Sequence, residues 1–409
     1  MATIHPFQAL RPAEAKAREV AAVPYDVVNT SEARALASGN PLSFLHVSRP
    51  EIGLPDEADP YSDAVYQRAA ENFEKLKAAA PLLVEEAPSL YVYELQMGGH
   101  TQTGIAACVS VDEYDSDIIR KHERTRKDKE DDRTRHIITL RAQTGPVFLT
   151  YRGRGEIDRI VERTQSAAPL YDITADDRIR HTIRRVADDD ARALVEEFRA
   201  VPLLYIADGH HRAASASRAR ARLKEENPGH TGNEEYNFFL TVLFPSDQLR
   251  ILPYNRVVKD LNGLSPSDFL KAVAEKVDLS EGAEASPEAK GRAGMYLGGK
   301  WYGLDFSRRA GSLDPIGSLD VSLLQEHVLD PVLGIKDVRT DKRIDFVGGI
   351  RGTEALERLV DGGQAAVAFS LYPVTVDQLI AVSDANGIMP PKSTWFEPKL
   401  RDGLLSHLI

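Results

Sequence analysis

The sequence lacks the features that would place it in several large classes of protein. Its single cysteine, Cys108, excludes an internal disulfide framework and any cysteine-based zinc site. No apolar run reaches the roughly 18 residues that a transmembrane helix needs. Residues 1–20 lack the apolar core of a signal peptide, and one cysteine in 409 residues fits a reducing compartment. We therefore predict a cytoplasmic protein without a membrane partner.

Patterns for four common chemistries are also missing. The chain has no GxSxG, HExxH, GxGxxG or CxxC sequence. Their absence disfavours serine hydrolase, zinc protease, dinucleotide-binding Rossmann and thiol redox chemistry. Eight of the eleven histidines show no metal-ligand spacing and are expected to be structural.

The composition is that of a folded, acidic protein. Hydrophobic residues make up 42% and charged residues 28% of the chain, which is typical of globular proteins rather than disordered ones. The chain has 51 Lys and Arg against 62 Asp and Glu, a net charge of −11, which disfavours nucleic acid as a partner. At roughly 150 residues per domain, the length predicts two or three domains. The sequence leaves a homo-oligomer open.

Strand-like and helix-like stretches alternate along the chain, which predicts an α/β fold of mixed α+β type. Glycine pairs at 98–99 and 298–299 are placed to turn β-hairpins. Local composition and the pattern of apolar and charged residues divide the chain into four parts. These are an N-terminal α/β part of a core (1–115), a charged segment with connecting elements (116–200), a strand–turn–helix part of the core (201–264) and a C-terminal α/β domain (265–409).

The most distinctive segment is VPLLYIADGHHRAASA, in which an apolar strand ends at Asp208 and a helix begins near Arg212. Gly209 permits a tight turn and close approach of a ligand to the backbone. The start of a helix presents free N–H groups that suit phosphate. His210, His211 and Arg212 add donors at the same end. Asp208 has the chemistry to hold a metal, orient a histidine or act as a base.

The alternative for this segment is a simple helix cap. Aspartate is a favoured capping residue, worth about 1 kcal/mol. Two histidines and an arginine exceed what a cap needs, and cations at a helix start oppose the helix dipole unless an anion binds. A metal site made by His210 and His211 is disfavoured, because neighbours on a helix point about 100° apart.

Two other segments in the first 140 residues carry candidate groups. Asp26 follows an apolar run in VAAVPYDVV and is either a strand-end carboxylate facing a site or part of a turn. His122 and Glu123 open a dense charge run and have the chemistry for metal binding or acid–base work, while Lys129 and Arg133 in the same run suit phosphate. The alternatives are a solvated helical face and a mobile lid.

The C-terminal segment MPPKSTWFEPKLRDGL carries a dense set of donors for phosphate or carboxylate. These donors are Lys392, Ser393, Thr394 and Lys399. The segment lacks the glycines of a Walker A loop. Its neighbouring tryptophan and phenylalanine suit a pocket wall, or a tail that docks by its aromatic residues.

These motifs together resemble known families. LLYIADGHHRAASA is similar to the phosphate-binding box of the ParB/sulfiredoxin-like superfamily, in which a strand–turn–helix with glycine and basic residues holds nucleotide phosphates. The DGHHR form resembles that of the ParB-like free serine kinases. Over its whole length the chain resembles the domain-of-unknown-function family 1015, on that segment together with VAAVPYDVV, RKHERTRKDKEDDR, DVRTDKRIDFVGG and MPPKSTWFEPKLRDGL.

The resemblance implies a ParB/sulfiredoxin-like nucleotide-binding core with an additional C-terminal α/β unit. It implies transfer of a phosphoryl group from ATP or ADP to a small hydroxyl metabolite, with free L-serine as the preferred acceptor and Mg²⁺ held by Asp208. The expected catalytic residues are Asp26, Glu123, Asp208, His210 and His211. The expected phosphate-binding residues are Gly209, His210, His211, Arg212, His122, Lys129, Arg133, Lys392, Ser393, Thr394 and Lys399. Two alternatives stay open, namely a phosphoserine phosphatase or phosphotransferase and a nucleotide-switched binding protein.

Overall fold

A computed structural model of the chain describes residues 1–55, 57–310 and 314–409. The chain divides into two compact units. The first unit consists of Met1–Leu249 with Pro398–Ile409, and the second unit is Arg250–Glu397. Both combine helices with β-sheets, so the predicted mixed α/β architecture is confirmed.

The two units do not follow the divisions expected from sequence texture. Residues 250–264 belong to the second unit rather than to the segment 201–264, and the last twelve residues of the segment 265–409 return to the first unit. The physical reason is strand pairing between distant parts of the chain. Ser406 and His407, near the C-terminus, pair with Leu10 and Ala9 near the N-terminus, and local composition carries no signal for such a pairing.

Helices and strands alternate through most of the first unit. Its strands are β1 (Ile4–His5), β2 (Ala9–Arg11), β3 (Leu83–Val84), β4 (Tyr91–Met97), β5 (His100–Ser110), β6 (Ile119–Arg120), β7 (Ala142–Gln143), β8 (Val147–Tyr151), β9 (Tyr171–Thr174), β10 (Arg180–Arg185), β11 (Leu204–Asp208), β12 (Phe238–Pro245) and β21 (Ser406–Leu408). Its helices are α1 (Ala17–Val20), α2 (Thr30–Ala37), α3 (Leu45–Ser48), α4 (Asp63–Ala79), α5 (Val111–Asp115), α6 (Lys127–Leu140), α7 (Gly155–Gln165), α8 (Asp188–Phe198) and α9 (His210–Glu226).

The main sheet of the first unit runs in the order β6-β11-β8-β12-β5-β4-β10-β9, with β1 also paired to β5. The predicted hairpin at Gly98 and Gly99 is confirmed, because Met97 pairs with His100. A small sheet, β3-β2-β21-β7, ties the C-terminal tail to the N-terminus. An apolar core that includes β5, β8 and β11 holds the β11 end of the main sheet in place.

The second unit is built around its own sheet, in the order β15-β17-β16-β19-β14-β18. Its strands are β13 (Arg250–Leu252), β14 (Tyr254–Val258), β15 (Asp278–Glu281), β16 (Arg292–Leu297), β17 (Lys300–Asp305), β18 (Ile344–Gly348), β19 (Val367–Leu371) and β20 (Trp395–Glu397), and its helices are α10 (Pro266–Ala274), α11 (Ser307–Ala310), α12 (Asp320–Leu324), α13 (Glu354–Asp361) and α14 (Val376–Asp384). The predicted hairpin at Gly298 and Gly299 is confirmed, because Leu297 pairs with Lys300. Within the described ranges, no helix has both the length and the apolar character that crossing a membrane requires.

Candidate functional site

The candidate site lies where strand β11 passes into helix α9. β11 is parallel to β6 and antiparallel to β8, and its register shifts between Ile206 and Asp208. Gly209 follows with φ of 93° and ψ of 30°, a left-handed conformation that glycine adopts without the cost that a Cβ would add. The predicted strand–turn–helix is confirmed, and the helix begins at His210, two residues before the expected start at Arg212.

Gly209 is also a point of close approach. A Cβ built on it would lie 3.2 Å from Nε of Arg212 and 3.5 Å from Cα of Val147. No side chain in the described structure caps α9 at this residue, and the first N–H groups of a helix have no acceptor within the helix. The junction therefore combines a left-handed turn with an uncapped helix start, an arrangement that favours an anion.

Asp208 ends the strand with its carboxylate between two cations. Its Oδ2 accepts a hydrogen bond of 3.0 Å from Nζ of Lys399 and lies 3.8 Å from Nη2 of Arg212. Its Oδ1 accepts a hydrogen bond of 2.9 Å from the backbone N–H of Gly209. Burial would raise the pKa of Asp208, but Lys399 and Arg212 outweigh burial and hold that pKa below its usual range. Asp208 is therefore ionised at neutral pH.

Arg212 is a buried guanidinium that already has acceptors in the protein. Its Nη1 donates a hydrogen bond to the carbonyl of Pro146, and its Nη2 lies 3.5 Å from Oδ2 of Asp26. Burial opposes the charged form of Arg212, but the carboxylates of Asp26 and Asp208 raise its pKa above the usual range. Arg212 thus joins the N-terminal Asp26 to the junction, and any phosphate gripped by this guanidinium would compete with both carboxylates.

A small cavity adjoins Arg212. It has a volume of about 40 Å³, and its lining includes Tyr25, Arg133, Arg212 and Asp402. A cavity of this size holds water but is far smaller than a nucleotide pocket. Nε of Arg212 and Oδ1 of Asp402 are buried and have no hydrogen-bond partner in the described part of the chain. Water is the ligand that this cavity suits, and a nucleotide does not fit inside it.

Asp402 is a residue of this site that the sequence reasoning missed. Its side chain is buried, and its backbone forms a β-bridge with Ala22, which brings the C-terminal tail beside the segment of Asp26. Burial raises the pKa of Asp402 to about 7; Arg212 opposes the rise and Asp26 adds to it. The only sequence signal was an acidic residue within the apolar segment LRDGLL.

His122 and His210 form a buried pair of rings. Their centroids are 4.4 Å apart at 87°, and Nε2 of His210 accepts a hydrogen bond of 3.4 Å from the backbone N–H of His122. Nδ1 of His210 lies 3.9 Å from Oε2 of Glu123. Burial lowers the pKa of His122 to about 4, and burial with the neighbouring His122 lowers the pKa of His210. Both rings are neutral at pH 7, so they suit hydrogen bonding to a ligand rather than neutralising its charge.

His211 and Lys129 have their own partners. Nε2 of His211 accepts a hydrogen bond of 3.1 Å from the backbone N–H of Arg126, and burial lowers the pKa of His211. Nζ of Lys129 donates a hydrogen bond of 2.9 Å to the hydroxyl of Tyr61. These contacts anchor the charged segment to α9 through His211 and to Tyr61 through Lys129.

Arg133 lies with Arg212 and Asp402 around the small cavity. Its Nε donates a hydrogen bond of 2.9 Å to Asp132, and its guanidinium carbon lies 4.3 Å from the centroid of the Tyr25 ring. Helix α6, which carries Arg133, buries several of its side chains and packs against α4 and α9. Over α6 the charged segment is therefore a helix with one packed face, and exposed charged residues such as Asp131 and Arg135 lie on its other side.

The C-terminal motif is divided between the two units. Lys399 belongs to the first unit and contacts Asp208, whereas Lys392, Ser393 and Thr394 belong to the second unit. There, the backbone carbonyl of Lys392 accepts a hydrogen bond of 3.0 Å from Arg256. Ser393 is buried and donates a hydrogen bond of 2.6 Å to the carbonyl of Pro390.

The described residues do not form a metal centre. Across the described ranges, no group of three or more His, Cys, Asp or Glu side chains is placed to hold a metal ion. Asp208, the expected Mg²⁺ ligand, is already paired with Lys399 and Arg212. Mg²⁺ demands an octahedral set of oxygen ligands, and this set of donors does not fit a resident Mg²⁺.

The arrangement as a whole can bind an anion and accept a proton. The uncapped start of α9 offers backbone donors for an anion. Asp26 and Asp208 keep 32% and 28% of their side-chain surface exposed, whereas Arg212 between them keeps 9%. The carboxylates are therefore within reach of a substrate, and the arginine holds them in place.

Comparison with protein families gives one match. The family model described as "Protein of unknown function (DUF1015)" matches residues 4–322. A search of curated proteins finds no significant match.

Solved structures give weak matches. A free serine kinase in complex with AMP has 13% identity and a TM-score of 0.37, covering 73% of this chain and 91% of that chain. SbnI with a C-terminal truncation, from Staphylococcus aureus, has 13% identity and a TM-score of 0.40, covering 74% and 87%. A conserved hypothetical protein from Pyrococcus furiosus has 12% identity and a TM-score of 0.36, covering 74% and 95%. Scores of this size do not establish a common fold.

Proposed function

The chain belongs to the family of proteins of unknown function DUF1015, and from its site we propose that it is a nucleotide-dependent phosphotransferase acting on a small hydroxyl metabolite. The observation that carries the proposal is the junction at Gly209. A left-handed glycine, an uncapped helix start and two carboxylates fixed by Arg212 and Lys399 meet there. Phosphoryl transfer requires positioning and charge stabilisation, and these groups supply both.

The proposed roles follow from exposure and charge. The N–H groups at the start of α9 bind the nucleotide phosphates, and Gly209 leaves room for them. Arg212 and Lys399 position Asp26 and Asp208. Asp26 accepts the proton of the acceptor hydroxyl, because it is a partly exposed carboxylate at the junction. Glu123 is the second candidate for that proton.

The remaining residues of the expected site also have proposed roles. The neutral rings of His122 and His210 hydrogen-bond the ligand, and His211 holds the charged segment through Arg126. Lys129 and Arg133, and Lys392, Ser393 and Thr394 in the second unit, remain predicted phosphate ligands. None of these roles uses Mg²⁺, because the donor set around Asp208 does not fit it.

The fold family and the substrate are also part of the proposal. A ParB/sulfiredoxin-like core, ATP or ADP as donor and free L-serine as acceptor rest on the resemblance of DGHHR to the free serine kinases. The strand–turn–helix formed by β11, Gly209 and α9 supports that part of the proposal.

A thermal-shift panel tests the proposal. ATP, ADP, CTP, GTP, L-serine and phosphoserine are each added to the full chain. A ligand that binds only the folded state stabilises it by about 2.7 kcal/mol at a hundredfold excess over Kd. We expect a shift with ATP or ADP. A shift with phosphoserine alone would favour a phosphatase, and no shift with any nucleotide would contradict the proposal.

A further inference from the structure

Arg256, in strand β14 of the second unit, is a buried guanidinium that has no carboxylate partner among the described residues. It is 3% exposed, its Nη1 donates a hydrogen bond to the carbonyl of Tyr254, and its Nη2 donates one of 3.0 Å to the carbonyl of Lys392. In the part of the chain that the structure describes, no Asp or Glu lies within ion-pair distance of it. The buried Arg212 and Arg401 differ in this respect, because each lies beside an aspartate.

The fold keeps this charge at a cost. Removing a charged group from water without an opposite charge costs several kcal/mol. Burial lowers the pKa of Arg256 to about 9, so the group is still charged at neutral pH. Two carbonyls accept two of the five N–H groups of the guanidinium. An apolar side chain in a strand between β18 and β19 would avoid the cost, so stability does not account for the arginine.

The surroundings of Arg256 supply a second cation and an aromatic wall. Nζ of Lys392 lies 5.4 Å from the centroid of the Tyr254 ring, and the guanidinium carbon of Arg256 lies 5.3 Å from the centroid of Phe346. The ring of Trp395 packs edge-on to Tyr254 at 5.2 Å. Lys392 itself is exposed and has φ of 58°, a left-handed conformation that side chains with a Cβ adopt at a cost.

Glu397, a carboxylate of strand β20, contacts the indole ring of Trp395. Oε1 of Glu397 accepts a hydrogen bond of 2.7 Å from Nε1 of Trp395. Arg256 and Lys392 thus place two positive charges beside three aromatic rings, with no acidic group paired to the arginine in the described structure.

We propose that the second unit carries an oxyanion-binding site of its own, in which Arg256 is the buried anchor and Lys392 the exposed cation, for a small ligand that bears a phosphate or carboxylate group. The site goes beyond the proposed phosphotransferase function, because its anchor Arg256 has no role in that function; only Lys392 is also a predicted phosphate ligand there. The aromatic rings of Tyr254, Phe346 and Trp395 would pack against the rest of the ligand.

Calorimetric titration of the full chain with inorganic phosphate and with succinate, at matched ionic strength, tests the site. The variants are Arg256→Met, Lys392→Gln and the control Lys271→Gln, which removes an exposed cation on α10 of the same unit. We expect one or both anions to bind, Arg256→Met and Lys392→Gln to weaken the binding at least tenfold, and Lys271→Gln to leave it unchanged. Binding of phosphate alone would identify a phosphate ligand, and binding of succinate alone would identify a carboxylate ligand.

Further measurements distinguish anion binding at this site from anion binding at the junction at Gly209. Loss of phosphate binding in Gly209→Ala, with full binding in Arg256→Met, would overturn the inference and leave the proposed function standing. Ligand-free Arg256→Met is expected to melt at or above the temperature of the native chain. A lower melting temperature with unchanged anion binding would overturn the inference, because it would show that Arg256 serves only to hydrogen-bond the carbonyls of Tyr254 and Lys392. If Arg256→Met does not fold, unchanged binding in Lys392→Gln overturns the inference by itself.

Discussion

Nζ of Lys399 donates a 3.0 Å hydrogen bond to the carboxylate of Asp208, across 191 positions of sequence. The pair fastens the C-terminal tail to the end of strand β11. Both side chains are largely buried, with 12% of Lys399 and 28% of Asp208 exposed. Contacts of this kind are worth more than surface ion pairs, because water screens them less.

Lys399→Met is expected to lower the free energy of unfolding at neutral pH by about 1–3 kcal/mol, since it leaves a partly buried carboxylate with one cation fewer. The pKa of Asp208 lies below its usual range in the folded chain. The ionised Asp208 therefore contributes to the free energy of unfolding above about pH 4, and this contribution is lost as the pH falls further. Urea unfolding between about pH 3 and pH 7 measures this. Lys16→Met, in an exposed pair with Glu19, is the control and should cost under about 0.5 kcal/mol. Equal losses in both variants would contradict the prediction.

Asp402→Asn is expected to stabilise the protein at high pH. The pKa of Asp402 is raised to about 7 in the folded chain, against about 3.9 in an unfolded one. The folded state therefore holds the proton more tightly, and stability is lost as the pH rises through 7. We expect the variant to gain about 2 kcal/mol near pH 8 and almost nothing near pH 4. Asp176→Asn, at a side chain that is 97% exposed, should change little at either pH. A gain that does not vary with pH would refute the assignment.

Gly209→Ala is expected to weaken nucleotide binding at least tenfold. The added Cβ would lie 3.2 Å from Nε of Arg212, at the turn where we propose that the phosphates bind. Gly232→Ala is a matched control, because φ is 92° there and 93° at Gly209, and a Cβ at Gly232 meets nothing within 4 Å. Both residues have a left-handed φ, so each substitution carries a backbone cost of roughly 1 kcal/mol. Calorimetry with ATP or ADP measures the difference, and equal affinity in the two variants would remove the junction from the nucleotide site.

Asp26→Asn is expected to reduce turnover by about a hundredfold or more, with nucleotide affinity within a fewfold of the native value, because a proton acceptor acts on the chemical step. Glu123→Gln is expected to keep most of the turnover. Steady-state kinetics of both variants, with melting temperatures as a check on folding, measure this. The reverse pattern would assign the proton to Glu123.

Local features of this fold could be predicted, because each is determined by a short stretch of sequence. The glycine pairs at 98–99 and 298–299 turn hairpins, and the apolar run before Asp208 forms a strand that leads through Gly209 into a helix. Each depends on the conformational preferences of a few neighbouring residues. Asp26 lies in a turn, one of the two alternatives that its sequence leaves open, and it approaches Arg212. Its role in a functional site stays a prediction.

Features that depend on distant pairing could not be predicted. The strand at Ser406–Leu408 joins the first unit because it pairs with β2 near the N-terminus. No local sequence pattern predicts this pairing. Asp402 went unnoticed because an isolated aspartate in an apolar segment gives no hint of burial beside Arg212. The neutral state of His122 depends on burial against His210, which spacing alone does not reveal.

Phosphorus NMR of the full chain with ATP and L-serine tests the central claim most directly. The account predicts a new phosphate monoester resonance with matching loss of ATP, abolished or slowed at least tenfold in Gly209→Ala and retained in Gly232→Ala. Release of inorganic phosphate from phosphoserine without any nucleotide, or ATP that stays intact with every small hydroxyl acceptor supplied, would contradict it.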